Sequence, residues 1–286
     1  MPDSTIHRFH VPVMGTGFTI DSALRVAKLG IDTVMSLGDD RLIERIRKHH
    51  ARVFARPFQA IRRTEPDARA RRITAYLDLV DGVVAAQMAE IKALPFAPGN
   101  DKTRWFELLP ASSPLAQRYR EMRALPPGPE RETLARELTA AMRPGSIDAN
   151  IMTKLDLASN GAEGELSDAK AALKGFALST VEGSVVFSAG INPGLFGLLE
   201  ELEGFHRDER GRLSKRVILK VSDFRSALVQ GKFLAKKGIE VHEIRVESGL
   251  NCGGHAFSTD GLLLGPILDE FARRRREIEE TFEEAL

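Results

Sequence analysis

The chain has 286 residues, and its 41 basic and 40 acidic side chains nearly cancel, leaving a formal charge of +1. That balance gives no global electrostatic argument for nucleic acid or an anionic membrane surface as a partner, and the single cysteine, Cys252, excludes an intrachain disulfide framework and suits a reducing cytosol. With 43% hydrophobic residues, no apolar run near the roughly 20 residues of a membrane helix and a polar start without a signal-peptide pattern, the chain reads as cytoplasmic and able to bury a sizeable core.

Taken in chain order, the apolar patterning predicts six strand-plus-helix units, with strands near residues 10–14, 32–37, 147–152, 184–188, 216–221 and 241–247. Alternation of this kind argues for a parallel sheet with helical crossovers. A helix over 21–30 joins the first two strands. Between the second and third strands lie about a hundred residues that a minimal βα unit does not need. Ile73, Leu77, Val80, Val84, Met88 and Ile91 give 66–94 a long helical period, Pro95–Gly99 breaks it, and 129–142 reads as another helix ending before Pro144-Gly145. Residues 1–43 are therefore expected to hold the first βα units, 44–145 a helical insertion or lid, and 146–286 the remaining units. The insertion shows no catalytic cluster and reads first as a packing appendage, while Trp105 and Phe106, between its helices, leave a lid over the sheet's mouth as the other reading.

The most informative stretch runs from Arg216 to Gly261. Residues 222–238 form a helix with Ala227, Leu228, Phe233 and Leu234 as apolar positions, stopped by Gly238. Val241, Ile244 and Val246 alternate imperfectly with polar residues in the next strand, which runs into Gly249 and the Asn251-Cys252-Gly253-Gly254-His255 turn. In a βαβ unit ligands lie outside the carboxyl ends of the strands, where Lys220 and the Gly249–His255 loop fall. Beyond His255 one helix can be drawn, 260–283, with Arg273 against Glu277, Arg275 against Glu279 and Arg276 against Glu280 on a solvated face.

This block resembles the flavin-binding signature of the nitronate monooxygenase family, also called the 2-nitropropane dioxygenase family, whose members are FMN-containing (β/α)8 barrels. Ile218-Leu219-Lys220 resembles the family's Ile-His-Lys at the end of the fifth strand, Arg225-Ser226-Ala227-Leu228 its Arg-His-Ala-Leu, and Gly249–His255 its Gly-x-Glu-Cys/Ala-Gly/Ala-Gly-His loop. Asn251 stands where that loop has its Glu, which removes a charge beside the flavin edge. Weaker matches precede it in order: Val11–Gly17 resembles the first strand and its Pro-Met-Ala-Gly turn, Asp148–Met152 the third strand with its cofactor-facing asparagine, and Val185–Gly190 with Asn192-Pro193 the fourth. The resemblance covers roughly 150 residues.

The resemblance implies a TIM-type (β/α) barrel of about six βα units, incomplete because the seventh and eighth strands, whose turns cradle the FMN phosphate, have no counterpart. It implies FMN as cofactor, His255 as catalytic acid or base, and Met14, Gly15, Asn150, Lys220, Gly249, Gly253 and Gly254 as cofactor contacts. The reaction expected is an FMN-dependent oxidation of nitronate type, or hydride transfer as in the enoyl reductases that share this barrel, on an unassigned small-molecule substrate. Further sequence or a second chain would supply the absent strands.

Each residue also has a structural reading. His255 can cap a helix, Lys220 can pair with a carboxylate in a barrel wall, Asn150 can satisfy local backbone, and Gly15 and Gly17 can form a plain turn. Cys252 has no histidine tied to it by spacing, and His7, His10, His49, His50, His206 and His242 have no metal-ligand spacing beyond adjacency. Two alternatives from other classes stand beside the flavoenzyme: a flavin-independent lyase or aldolase with a Schiff base on Lys220, and a non-catalytic barrel fragment acting as a subunit or interaction module.

Overall fold

The computed structural model describes residues 10–12, 16–151, 166–187, 190–247 and 264–286. Its frame is a six-stranded sheet, all parallel, with the strands side by side in chain order. The strands are β1 (His10–Val11), β2 (Asp32–Ser36), β3 (Ile147–Ile151), β4 (Gly183–Phe187), β5 (Lys215–Val221) and β6 (Val241–Val246). The predicted strands are thus all present, with ends moved by a few residues.

Two short helices, α1 (Thr16–Thr19) and α2 (Ser22–Val26), and a 3-10 turn at Ala27–Leu29 lead into β2. Gly30 ends that turn in the left-handed region at φ 79°, a conformation that glycine adopts without steric cost. Helix α3 (Asp40–Val53) follows β2, its start fixed by Asp39, whose carboxylate accepts the Arg41 and Leu42 backbone N–H groups. Helix α4 (Ala68–Ala93) carries the long apolar period. Then come α5 (Asp101–Glu107), α6 (Pro114–Ala124) and α7 (Pro129–Ala141), the last two each opening on proline. Helices α8 (Asp168–Ala177), α9 (Pro193–Glu200) and α10 (Phe224–Ala235) link the later strands, and α11 (Leu264–Glu283) lies after β6.

One face of the sheet and the helices share a single core. It takes Met35 from β2, Ile147, Ala149 and Ile151 from β3, Val185 and Phe187 from β4, and Val217, Leu219 and Val221 from β5. Against them pack Leu173 and Phe176 of α8, Phe196 of α9 and Phe224 of α10. Crossovers of one hand between consecutive parallel strands put the linking helices on one face, and α3, α4, α8, α9 and α10 all contribute to this core. On the opposite face Val34, Val186 and Ile218, all buried, form a small cluster of their own.

The region between β2 and β3 divides differently from a single insertion at 44–145. Ile43 of α3 and Ile73, Tyr76, Leu77, Val80, Val83 and Val84 of α4 belong to the main core, so these helices are the layer that crosses from β2 to β3. A separate core begins only at Met88 and joins Trp105, Phe106, Leu115, Tyr119, Met122, Leu138 and Met142. This unit attaches where Lys28 pairs with Asp101 at 2.9 Å, Trp105 Nε1 donates to the Arg143 carbonyl at 3.0 Å, and Gly145 N donates to the Ala27 carbonyl at 2.8 Å. Ala27–Leu29 and Arg143–Gly145 precede β2 and β3, so the unit sits at the amino ends of these strands, not over the carboxyl ends as a lid.

Helix α11 packs on α10, with Phe271 against Phe224 and the Arg274 guanidinium 3.9 Å over the Phe224 ring. Arg275 pairs with Glu279, as its spacing predicts, whereas Arg274 takes Glu270 and Glu277. Its basic run is therefore partly an anchor and not only a solvated face. Among the described residues no helix is long and apolar enough to cross a membrane.

Candidate functional site

The face opposite the helices carries most of the sheet's charge. Side chains alternate across a strand, so Asp148 and Asn150 of β3, Ser184 and Val186 of β4, and Arg216, Ile218 and Lys220 of β5 share it. Strand β6 reaches the same face only through an irregularity. Val217 lies opposite Val241, but Ile218 lies opposite Glu243, so His242 is the extra residue of a bulge. The shift turns Ile244 and Val246 toward the helices and Glu243, Arg245 and Glu247 toward the charged face. The imperfect alternation of this strand's apolar residues is the sequence trace of that bulge.

Lys220 Nζ lies 2.5 Å from Glu247 Oε1, and their side chains retain 16% and 26% of their accessible surface. Directly opposite Lys220 is Arg245, a like charge at the closest cross-strand position. Arg245 is compensated by Glu243 at 2.6 Å and by Asp148 at 3.8 Å. The Asp148 contact fixes the sheet's shape. β3 and β6 are separated by β4 and β5, and three strand spacings span about 14 Å in a flat sheet. Side chains of the two strands meet because the sheet curls around this face.

Asp148 also ties the amino end of the sheet, accepting Ser184 N at 2.8 Å and Ser146 Oγ at 2.9 Å with one carboxylate oxygen and leaving the other toward Arg245. Arg216, half-buried on β5, has no ion pair among the described residues. It faces His242, whose pKa is held below the usual imidazole range by desolvation first and by the Arg216 charge second.

Asn150 stands one step below Lys220 along the curl: it pairs with Val186, which pairs with Ile218, two residues before Lys220. Only 7% of its surface is accessible, and its amide makes no hydrogen bond among the described residues. Its other neighbour, Ser36, shares a hydrogen bond of 2.9 Å with Thr19. Asn150 and Lys220 are therefore brought onto one face near the carboxyl ends of their strands. Met14, Gly15, Gly249, Gly253, Gly254, Cys252 and His255 lie outside the described residues.

Could a phosphate be held here? The helices that start at these strand ends are already capped, by Asp39 on α3, Ser167 on α8, Asn192 on α9 and Asp223 on α10. Asp39 and Asp223 put carboxylates where an anion would sit. The described residues thus offer an anionic cofactor a cation, Lys220, and an amide, Asn150, but not a free helix terminus.

Sequence reasoning singled out Asn150 and Lys220 and passed over Asp148, Arg245 and Glu247. The signal was there: charges two apart in a strand whose other face is apolar must share the second face. Comparison with known proteins finds no match among family models, curated proteins or solved structures.

Proposed function

We propose that the chain forms a TIM-type (β/α) barrel, incomplete at about six units, and acts as an FMN-dependent oxidoreductase resembling the nitronate monooxygenases. Three features support the barrel: strands in sequential order, the linking helices α3, α4, α8, α9 and α10 in one core with one face of the sheet, and a sheet curled enough to join Asp148 to Arg245. The observation that carries the functional reading is the shared position of Lys220 and Asn150 on one face near the carboxyl ends, the end at which such barrels hold their ligands.

In this reading Lys220 faces negative charge on the flavin or its phosphate, and Glu247 orients the ammonium. Asn150 offers a donor and an acceptor to the ring edge. Met14, Gly15, Gly249, Gly253 and Gly254 let backbone approach the cofactor, and the glycine loop takes the phosphate that the capped helices do not. When bound, FMN supplies the electron transfer. His255 takes a proton from an acidic carbon of a small-molecule substrate, within reach of an imidazole whose ordinary pKa is about 6.5. The protein works in the cytoplasm.

The test separates binding from turnover. His255→Asn is expected to leave FMN affinity unchanged and slow oxygen consumption with the nitronate of 2-nitropropane by about 100-fold or more. Lys220→Met is expected to weaken FMN binding itself by about 2 kcal/mol. Parent-like binding and turnover in both variants would remove the site from this face. A second reading rests on β6, whose sheet neighbour among the described residues is β5 alone: another chain, or further sequence, adds a strand there and the chain serves as a subunit.

A further inference from the structure

The helical unit at the amino ends of β2 and β3 has a cleft of its own, about 470 Å³, formed between the end of α4, the turn after it and α7. Lys92, Lys102 and Arg136 line it together with Phe96, Ala135 and Thr139, and no carboxylate does. None of the three cations has an ion pair among the described residues. Arg136 donates only to Thr133 Oγ1, at 2.9 Å, on its own helix.

Lys102 is the best fixed of the three. It is 5% exposed, and its ammonium lies 4.5 Å over the Phe96 ring. Two of its N–H donors go to the Lys92 and Leu94 carbonyls, both at 2.9 Å, at the carboxyl end of α4. That contact is a helix cap, and it leaves a third donor. Burial lowers its pKa with no anion to offset the cost. The groove is open to solvent, and it joins an apolar wall to positive charge with no carboxylate in its lining.

We propose that this cleft binds a small organic carboxylate with a compact apolar body: the carboxylate lies among Lys92, Lys102 and Arg136, and the body rests against Phe96 and Ala135. The site is independent of the flavin reading, because the cleft is remote from the carboxyl ends of the strands and shares no residue with the charged face.

Calorimetric titration of the full chain with benzoate tests it, with benzamide and inorganic phosphate as comparisons. Benzoate is expected to bind, neutral benzamide not to, and phosphate to bind at least about tenfold more weakly because it has no apolar body. Arg136→Ala and Lys92→Ala make no contact that holds the fold, so each is expected to keep the parental melting temperature and to weaken benzoate by about tenfold. No heat from benzoate up to about 10 mM would overturn the proposal, since a ligand of this size needs only millimolar affinity to register. So would equal binding to both variants, which puts the anion elsewhere, or phosphate binding as tightly as benzoate, which leaves charge alone as the cause.

Discussion

Asn150, 7% exposed, shares a face with Lys220, which has its carboxylate, and its side chain makes no hydrogen bond among the described residues. Asn150→Ala is therefore expected to leave urea-unfolding stability within about 1 kcal/mol of the parent, because no hydrogen bond is lost, while weakening FMN by roughly tenfold. A large loss of stability would show that the amide holds the fold instead. Lys215 is the contrasting case, a lysine at the other end of the same strand. It is 3% exposed, and its ammonium is shared among the Ser179 carbonyl and hydroxyl and the Val181 carbonyl. Burial pushes its pKa down to about 8 against the opposing pull of Asp78, Asp81 and Glu182. Between that value and the ordinary lysine pKa of about 10.4 the unfolded chain binds more protons, so this group adds stability as pH rises through the window. Below it both states are protonated and the gain is absent. Unfolding at pH 8 and pH 10 should show a smaller upward change in Lys215→Met than in the parent; equal changes would place the shift elsewhere.

At the scale of elements, one glycine joins α10 to α11. A Cβ on Gly231 would stand 1.8 Å from the Phe282 ring. Gly231→Ala should then lower stability by about 1–3 kcal/mol through overpacking, and adding Phe282→Leu should recover part of the loss in thermal melts. A lone Gly231→Ala with a higher melting temperature would mean that α11 does not press on α10. Helices α4, α7, α10 and α11 are legible because each has a sustained apolar period or a clear stop. Helices α5 and α6 are not: α5 is seven residues long, and its adjacent Trp105 and Phe106 face a small separate core, so no period develops. The bulge at His242 hid the charged face of β6 in the same way, since one extra residue exchanges the two faces.

For the whole molecule, the alternation of strands and helices made the parallel sheet and its six strands legible, and with them the end of the sheet near which Lys220 and Asn150 lie. The curl was not legible, because it is visible only in a contact between Arg245 and Asp148, about a hundred residues apart. Nor was the position of the helical unit. Trp105 and Phe106 read as part of a packing appendage sooner than a lid, and its place in the fold rests on Lys28, Asp101 and the Arg143 carbonyl, whose pairing no spacing announces. The partition of α4 between two cores follows from its length of 26 residues, enough to span the sheet and continue beyond it.

The most direct measurement is a fluorescence titration of FMN with the purified chain, alone and with any protein that co-purifies. Saturable quenching, weakened by about 30-fold in Lys220→Met, is the expected result, that factor corresponding to the loss of a charge contact of about 2 kcal/mol. Flavin fluorescence that stays unchanged in both preparations, or quenching that Lys220→Met leaves intact, would contradict a flavin site on the charged face.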